Sequence, residues 1–160
     1  MTDILTSEQR RLNMSRIRNV DTKPELLLRR GLHMRGFRFL LYRKDLPGRP
    51  DLTLPKYRSV ILVHGCFWHG HCCPMFQLPK TRQEFWINKI QKNRERDAEV
   101  YKALAASEWR TFVLWECSTR GPARLPVDSI LDEVIQWLNG TSAFGTLQGH
   151  WTDSSTFSEL

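Results

Sequence analysis

The chain has 160 residues, and 41% of them are hydrophobic. This length predicts one domain with a proper core and leaves too little chain for two. No apolar run approaches the roughly 20 residues that span a bilayer. The start, MTDILTSEQRRLN, lacks the apolar segment of a secretory signal, so we expect a cytoplasmic protein.

The net charge indicates the kind of molecule that the protein binds, and the cysteines indicate the chemistry of their thiols. Lys and Arg total 24 against 17 acidic residues, which gives a net charge of +7. This excess favours a polyanionic partner, with nucleic acid first and an acidic membrane surface second. Four cysteines in a reducing compartment favour metal binding or buried thiols over disulfides.

The first half of the chain predicts two helices and three strands. A basic helix is expected at about 8–18, and a second from about 22 to 35, where Thr22 and Glu25 have capping-box spacing. Strands are predicted at 37–42, 51–54 and 59–64. The last of these is nearly all apolar, so we expect it in the middle of the sheet.

The second half begins with an irregular loop at 65–80, whose length indicates a ligand or a function. A capping-box signature formed by Thr81 and Glu84 opens a helix over about 82–106, with a strand at 111–115 and a helix at 130–138 after it. Residues 141–160 show no periodicity and are expected to form a tail without regular structure. The inner face of the long helix is predicted to comprise Phe85, Ile87, Ile90, Val100, Tyr101 and Leu104.

These elements predict an α/β or α+β layer fold with a mixed sheet. Strands 51–54 and 59–64 can pair as a hairpin, whereas the strand at 111–115 returns through a helix and should pair in parallel. We expect a single domain over 1–140, followed by the tail.

Three cysteines and a histidine have the composition of a zinc site. A tetrahedral set would place three ligands from one loop beside a cysteine far along the chain. Cys72 would then point away, although it could replace its neighbour; the alternative is a scatter of free thiols. The set is Cys66, His71, Cys73 and Cys117.

Asp51 is the candidate ligand for a hard cation. It follows a tight turn, and a hairpin would bring it beside the strand end, where the Val63 carbonyl could join it in holding Mg²⁺. His64 or His69 could deprotonate or orient water. The alternative reading of Asp51 is a turn residue. Two hypotheses therefore remain for residues 50–73. They form a metal-dependent phosphodiesterase site beside a structural zinc site, or they form only a zinc site that stabilises a DNA-binding module.

Aromatic residues in the irregular loop suggest contact with bases. Phe67 and Trp68 are adjacent in a Gly-bounded segment and cannot both point inward easily, so at least one is a candidate wedge between base pairs.

Four motifs together resemble the very short patch repair (Vsr) mismatch endonuclease family. They are LPGRPD at 46–51, VHGCFWHGHCC at 63–73, TRQEFWINKIQKNRERD at 81–97 and VLWEC at 113–117. The resemblance implies a restriction-endonuclease-like fold, a variant of the PD-(D/E)xK superfamily. It also implies a Mg²⁺-dependent nick 5′ to the thymine of a T:G mismatch left by deaminated 5-methylcytosine.

The resemblance further implies a role for each matched residue. Asp51 and the Val63 carbonyl hold Mg²⁺, and His69 is the general base. His64, Glu25 and Asp97 position metal-bound waters or the scissile phosphate. Cys66, His71, Cys73 and Cys117 bind structural zinc. Phe67, Trp68 and Trp86 intercalate beside the mismatch, and Met14 probes the opposite groove from a DNA-contacting helix within residues 1–20.

The implied partner is double-stranded DNA with a T:G mismatch, together with mismatch-repair proteins and without a membrane. The protein is expected to be a monomer acting on the nucleoid in the bacterial cytoplasm.

Three positions depart from the family pattern. Val63 stands where threonine is expected, and Gly70 and Cys72 stand where histidines are expected. In addition, Leu62 and His64 occupy the places at which nucleases of the wider fold carry an acid and a lysine. These departures leave the catalytic set intact, but the extra thiol of Cys72 leaves two choices for the zinc ligand.

Overall fold

The computed structural model describes residues 6–16 and 20–152, with only the helical backbone for residues 13–16. Two single 3₁₀ turns lie at Pro55–Tyr57 and Glu116–Ser118. The helices and strands, in chain order, are α1 (Ser7–Arg16), α2 (Lys23–Met34), β1 (Leu40–Leu41), β2 (Leu52–Leu54), β3 (Ser59–His64), α3 (Gln83–Ala106), β4 (Arg110–Trp115), α4 (Val127–Asn139) and β5 (Phe144–Leu147).

The five strands form one mixed sheet in the order β1-β2-β3-β4-β5. β1, β2 and β3 pair antiparallel, and β3, β4 and β5 pair parallel. The connection from β3 to β4 runs through α3, because two parallel neighbours need a crossover. The hairpin of β2 and β3, the central place of β3 and the mixed sheet are therefore confirmed.

Helices cover both faces of β3, which explains its continuous apolar sequence. Ile61 packs with buried residues of α2 and α4, whereas Val60 and Leu62 pack with Leu104 of α3. Side chains alternate between the two faces of a strand. His64 therefore falls on the α3 face of the sheet, where the site described below is formed.

The prediction that residues 141–160 lack regular structure is wrong for Phe144–Leu147, which form β5. This strand pairs with β4 at the sheet edge, and Phe144 is 49% exposed. A Cβ on Gly145 would lie 2.5 Å from the Trp137 ring, so only glycine fits there. A four-residue edge strand that contains glycine has too few apolar residues to show a period. The predicted strand at 37–42 is likewise reduced to two exposed residues.

Helix starts also differ from the prediction. Thr22 makes no side-chain cap, and Glu25 accepts a hydrogen bond from the Asp21 amide at 3.0 Å instead. Before α3, Arg82 adopts a left-handed conformation and no side chain caps the helix.

Two residues of the predicted inner face of α3 are exposed. Phe85 is 43% exposed and Ile87 52% exposed, while Ile90 and Leu104 are buried. The first turns of α3 therefore leave apolar side chains at the surface. Among the described helices, none combines the length and the apolar character needed to cross a bilayer.

Candidate active site

A cleft of about 310 Å³ lies where the turn before β2, the end of β3 and the middle of α3 meet. Asp51, His64, His69 and Asp97 all line it, together with Arg49 and Arg96. These side chains come from four separate segments of the chain. The fold thus brings four of the five predicted catalytic residues into one cavity.

Asp51 is partly buried and is held by one main-chain donor. The Val63 amide donates to Asp51 Oδ2 at 2.7 Å. Burial, together with the charge of Glu25, raises the pKa of Asp51 to about 7. No basic side chain in the described part of the chain forms an ion pair with Asp51. This carboxylate therefore has no ion-pair partner there, although the more distant charge of Arg29 acts on it.

Val63 makes this contact through its main chain, because its side chain packs against the core beside α2 and α4. The Val63 amide thus binds Asp51 itself, whereas the sequence prediction concerned the Val63 carbonyl as a second ligand of Mg²⁺. The amide and carbonyl of a strand residue point to the same side of the strand, so both face the β2 edge. The valine side chain at this position packs against the core, and Val63 also lines the cleft.

His64 and His69 stack face to face. Their ring centroids lie 3.8 Å apart and their planes differ by 2°. His64 is buried, and its Nδ1 lies 3.2 Å from the Tyr101 hydroxyl. Burial, followed by the charge of His69, lowers the pKa of His64 to about 3. His64 is therefore a neutral imidazole at physiological pH.

His69 is paired with an acid. Its Nδ1 lies 2.5 Å from Asp97 Oδ2, and because a carboxylate only accepts hydrogen bonds, Nδ1 carries the hydrogen. The other ring nitrogen then keeps its lone pair. An imidazole oriented by a carboxylate in this way is the arrangement of a general base.

Donor atoms of His64, His69 and Asp97 lie within 4.8 Å of one another. Even so, the stacked rings do not suit a shared ion. An imidazole nitrogen binds a metal in the plane of its ring, and the two parallel ring planes do not meet at one ion. This trio suits proton transfer and phosphate binding.

Glu25 lies beside the cleft, outside its lining. It is buried, and its carboxylate accepts hydrogen bonds from the Tyr42 hydroxyl and from Arg29 at 2.9 Å. Its charge nevertheless contributes to the raised pKa of Asp51. Glu25 therefore affects the site through its field and through the network that it holds.

A second cluster lies at the carboxyl ends of β3 and β4. One donor atom from each of four residues lies within 4.8 Å of the others, and the three cysteines are free thiols. Contact with the Cys66 thiol, and then with the His71 ring, lowers the pKa of Cys117 to about 4. Cys72 is exposed and lies outside the cluster, so the structure favours its neighbour as the fourth donor. The cluster comprises Cys66, His71, Cys73 and Cys117.

His71 is oriented by residues that follow β5. Its Nδ1 lies 3.7 Å from Cys117 Sγ, and its Nε2 lies 2.9 Å from the Gln148 Oε1. The Gly149 amide donates to Cys117 Sγ at 3.3 Å. The His71 ring also stacks on Trp115 at 4.0 Å. Nδ1 is thus the nitrogen that faces the thiols, as a metal ligand would.

Gly70 separates the two histidine sites. It has φ +62°, and a Cβ on it would lie 2.7 Å from Ile90 Cγ2. Glycine adopts this left-handed conformation without the steric cost that other residues pay. The bend sends His69 into the cleft and His71 into the cysteine cluster, so the glycine at this departure from the family pattern suits the local backbone.

The predicted intercalating aromatics form one cluster next to the cleft. The ring centroids of Phe67, Trp68 and Trp86 lie between 5.2 and 5.9 Å apart, each pair edge to face or nearly so. Asn93 fixes the Trp68 backbone by donating to its carbonyl at 2.9 Å. Cations lie above the neighbouring rings, with Lys89 Nζ 5.9 Å from the Trp68 centroid. All three rings are partly exposed.

Met14 is part of α1, but its side chain lies outside the described part of the chain. Two residues that the sequence interpretation gave no role also contact the sites. Tyr101 lies four residues after Asp97, a helical spacing that could have indicated a shared face. Gln148, in contrast, lies in a segment without periodicity, and no sequence signal singles it out.

Comparisons with known proteins show what this chain is similar to. The family model described as DNA mismatch endonuclease Vsr matches residues 2–75. The chain is 40% identical over 143 residues to DNA mismatch endonuclease Vsr of Escherichia coli, covering 89% of this chain and 92% of that protein. It is 49% identical to the type II nicking enzyme V.XorIIP of Xanthomonas oryzae, covering 82% and 98%. It is also 42% identical to the type II nicking enzyme V.NmeAIP of Neisseria meningitidis, covering 77% and 88%.

Proposed function

This chain belongs to the Vsr family of DNA mismatch endonucleases, and from that premise we propose that it nicks one DNA strand 5′ to the thymine of a T:G mismatch. Such mismatches arise when 5-methylcytosine deaminates, and the nick begins very short patch repair. Two of these relatives are named nicking enzymes, which supports cleavage of a single strand.

One observation carries the proposal: Asp51 and the His69–Asp97 pair share a single cleft. The free nitrogen of His69 takes a proton from water, and the water oxygen attacks the phosphorus of the scissile phosphodiester. One bridging P–O bond breaks, and the leaving oxygen gains a proton. Asp97 stabilises the imidazolium that forms, and Arg49 and Arg96 line the cleft as donors to phosphate oxygens.

Magnesium fits the cleft because a carboxylate without an ion-pair partner is the group that a hard cation compensates. Asp51 would hold it, with the Val63 carbonyl on the same strand edge. When bound, the ion supplies Lewis-acid stabilisation of charge on the phosphate and lowers the pKa of coordinated water. His64 and the field of Glu25 would position the phosphate and waters around it.

Structural zinc fits the second cluster. Three thiols and one imidazole, buried and converging, are a complete tetrahedral set with no position left for water. Gln148 accepts from the other nitrogen of His71 and so fixes the ring, as outer partners of zinc-bound histidines do. The ligands would be Cys66, His71, Cys73 and Cys117.

The fold is proposed to be a variant of the PD-(D/E)xK type. The antiparallel β2–β3 pair followed by a parallel β4 through α3 supports this assignment, as does the acid immediately before β2. Leu62 and His64 occupy the places of the usual acid and lysine. A histidine-based cleft therefore replaces the more common carboxylate and lysine set.

The aromatic cluster is proposed to enter the DNA beside the mismatch. Unstacking a base step costs a few kcal/mol, and a mismatched step requires less than a paired one. Phe67, Trp68 and Trp86 present partly exposed rings between basic side chains, next to the cleft that would receive the backbone. This placement would link recognition of the distorted step to cleavage.

Further expectations accompany the proposal. The single domain expected over residues 1–140 extends at least to Gly149, because β5 belongs to its sheet and Gly149 contacts Cys117. We also expect monomeric action in the bacterial cytoplasm, DNA contact by the helix within residues 1–20, and stimulation by mismatch-repair proteins. Met14 is proposed to probe the groove opposite the aromatic cluster.

The experiment is strand-resolved cleavage of three labelled duplexes that differ only at one pair, T:G, T:A and C:G, with Mg²⁺ present. We expect one nick in the T-bearing strand of the T:G duplex alone. Binding without cleavage in any divalent metal would replace the proposal with a zinc-stabilised DNA-binding protein. Cleavage of both strands of a matched duplex would replace it with a restriction-like enzyme.

A further inference from the structure

We propose that Tyr101 is a positioning residue that fixes the tautomer of His64, so that the two stacked histidines carry out opposite tasks. The proposal rests on the nuclease function proposed above and concerns how that site divides its hydrogen bonds. Tyr101 lies on α3, partly buried, with its hydroxyl 3.2 Å from His64 Nδ1.

The direction of this hydrogen bond follows from the available partners. Among the described residues, His64 Nδ1 is the one hydrogen-bond partner of the Tyr101 hydroxyl. If Nδ1 donated, the hydroxyl hydrogen would have no acceptor among the described residues, which is costly for a partly buried group. Burial and then the charge of Asp97 raise the pKa of Tyr101 above its ordinary value, so the phenol keeps its hydrogen. Tyr101 therefore donates, and His64 Nδ1 accepts.

A ring nitrogen that accepts a hydrogen bond carries no hydrogen, so the hydrogen of the His64 ring is on Nε2. Because Nδ1 is taken up by α3, Nε2 is the nitrogen left for the cleft that His64 lines. A neutral imidazole with Nε2–H offers a donor to a phosphate oxygen and has no lone pair there to take a proton from water. In this cleft, His64 acts as a hydrogen-bond donor to the phosphate.

The neighbouring ring has the opposite arrangement. Asp97 can only accept, so His69 keeps its hydrogen on Nδ1 and exposes a lone pair on its other nitrogen. The rings lie 3.8 Å apart and nearly parallel, which places a donor and a base side by side. The phenol of Tyr101 and the carboxylate of Asp97, four residues apart on α3, thereby assign the two roles.

β5 supports this arrangement. The Phe144 ring contacts the Tyr101 ring edge to face, with centroids 5.5 Å apart. The strand that follows α4 thus holds the phenol against the sheet. The contact with the Phe144 ring restricts rotation of the Tyr101 side chain away from His64.

The test uses the whole protein with ¹⁵N-labelled histidine and long-range ¹H–¹⁵N correlation spectra, in which the two neutral tautomers give different patterns. His64→Asn identifies the His64 signals. Tyr101→Phe removes the donor, and Tyr57→Phe is the matched control, because no hydrogen bond of the Tyr57 hydroxyl exists among the described residues. Tyr57 packs against the core instead.

We expect the parent and Tyr57→Phe to show His64 protonated on Nε2, and Tyr101→Phe to show a mixture or the other tautomer. Single-turnover nicking of the T:G duplex should fall about tenfold in Tyr101→Phe with duplex affinity unchanged. Parent His64 protonated on Nδ1, or a His64 pattern unaltered by Tyr101→Phe, would overturn the proposal. Failure of the parent to nick would count against the nuclease function and would leave the spectra able to decide the tautomer.

Discussion

Asp51 has surroundings that suit a cation better than they suit an isolated carboxylate. It accepts one amide hydrogen bond, lies near the negative charge of Glu25, and has a pKa raised to about 7. In the metal-free protein this carboxylate is therefore ionised only at the expense of stability.

This linkage predicts how stability depends on pH. The folded pKa of about 7 lies above the ordinary 3.8, so the folded state binds this proton more tightly than the unfolded chain. The stabilisation that this bound proton gives is complete at a pH below the ordinary pKa of 3.8, and it is lost as the pH rises towards about 7. Between about pH 5 and about pH 8, the free energy of unfolding of the parent should fall by roughly 1–2 kcal/mol relative to that of Asp51→Asn, after allowing for partial exposure.

Urea unfolding of both proteins in Mg²⁺-free buffer measures this difference. Asp132→Asn, at an exposed site on α4, should follow the parent. Mg²⁺ should restore the parent's stability at the higher pH and have little effect at the lower pH. If the stability of the parent and of Asp51→Asn depended on pH in the same way, ionisation of Asp51 would not destabilise the fold.

The second prediction at the scale of the residue concerns Asp97. Replacing it with Asn removes the acceptor that keeps the hydrogen of His69 on Nδ1, so the base loses its tautomer. By analogy with other oriented histidines, single-turnover nicking should fall about 10²- to 10⁴-fold with duplex binding retained. Glu99→Gln on the exposed side of α3 is the matched control. Equal rates for the two variants would remove Asp97 from the mechanism.

At the scale of the element, α3 connects the sites. Asn93, Asp97 and Tyr101 recur every four residues and contact, in turn, the Trp68 carbonyl, His69 and His64. One helical stripe thus fixes the aromatic loop, the base and the second histidine. The helix is both the crossover that makes β4 parallel to β3 and the wall of the cleft.

β5 and the residues after it connect the end of the described chain to the cysteine cluster. Gln148→Ala would leave His71 Nε2 without its acceptor, so the ring would be held less firmly. We expect zinc affinity to fall by about tenfold, measured by competition with a chromogenic chelator. Gln136→Ala on the exposed face of α4 controls for loss of an amide. Unchanged zinc affinity in Gln148→Ala would show that His71 needs no outer partner.

The loop that carries Trp68 gives the fourth prediction. Trp68→Ala should weaken binding to a T:G duplex by about 1–3 kcal/mol and binding to the matched duplex by less, because only the mismatched step opens readily for a ring. Fluorescence anisotropy in Mg²⁺-free buffer measures both affinities. Val127→Ala, an exposed apolar site on α4, is the control. Equal losses on the two duplexes would contradict intercalation by Trp68.

The elements differ in how far the sequence could predict them. β3 was predicted with its observed bounds, because a strand covered on both faces shows a continuous apolar run. β5 was missed, because an exposed edge strand of four residues has no such run. The inner face of α3 was misjudged over its first turns: Phe85 and Ile87 were predicted to face inward, but the surface on which they lie has no covering element among the described residues.

The candidate site shows the same division. The four members of the cysteine cluster were predicted from residue type and spacing, and the structure brings them together. The choice of Cys73 over Cys72 as the fourth zinc ligand could not be made from spacing, because it depends on which of the two side chains the backbone directs into the cluster. The spacing of Asp97 and Tyr101 places both on one face of α3, but the contact of Tyr101 with His64 joins elements distant in sequence. The role of Gln148 likewise depends on a contact with the distant His71, which neither periodicity nor spacing encodes.

At the scale of the whole molecule, charge and aromatic surface favour the same partner. A net charge of +7 attracts a phosphate backbone, and such binding should weaken steeply with salt. Lys89 lies over the Trp68 ring of the cluster that adjoins the cleft, and Arg82 lies over the neighbouring Phe85 ring. Electrostatic binding would therefore bring a duplex to the surface where a distorted step can be opened and cut.

The most direct test of this account is the single-turnover rate of nicking a labelled T:G duplex at saturating Mg²⁺, compared between the parent and Asp51→Ala. Duplex binding by both proteins is measured alongside, with Asp132→Asn as the control. The account predicts a loss of at least about 10³-fold in the variant with mismatch binding retained, because Asp51 would hold the ion at the phosphate. Asp51→Ala cutting as fast as the parent would contradict it.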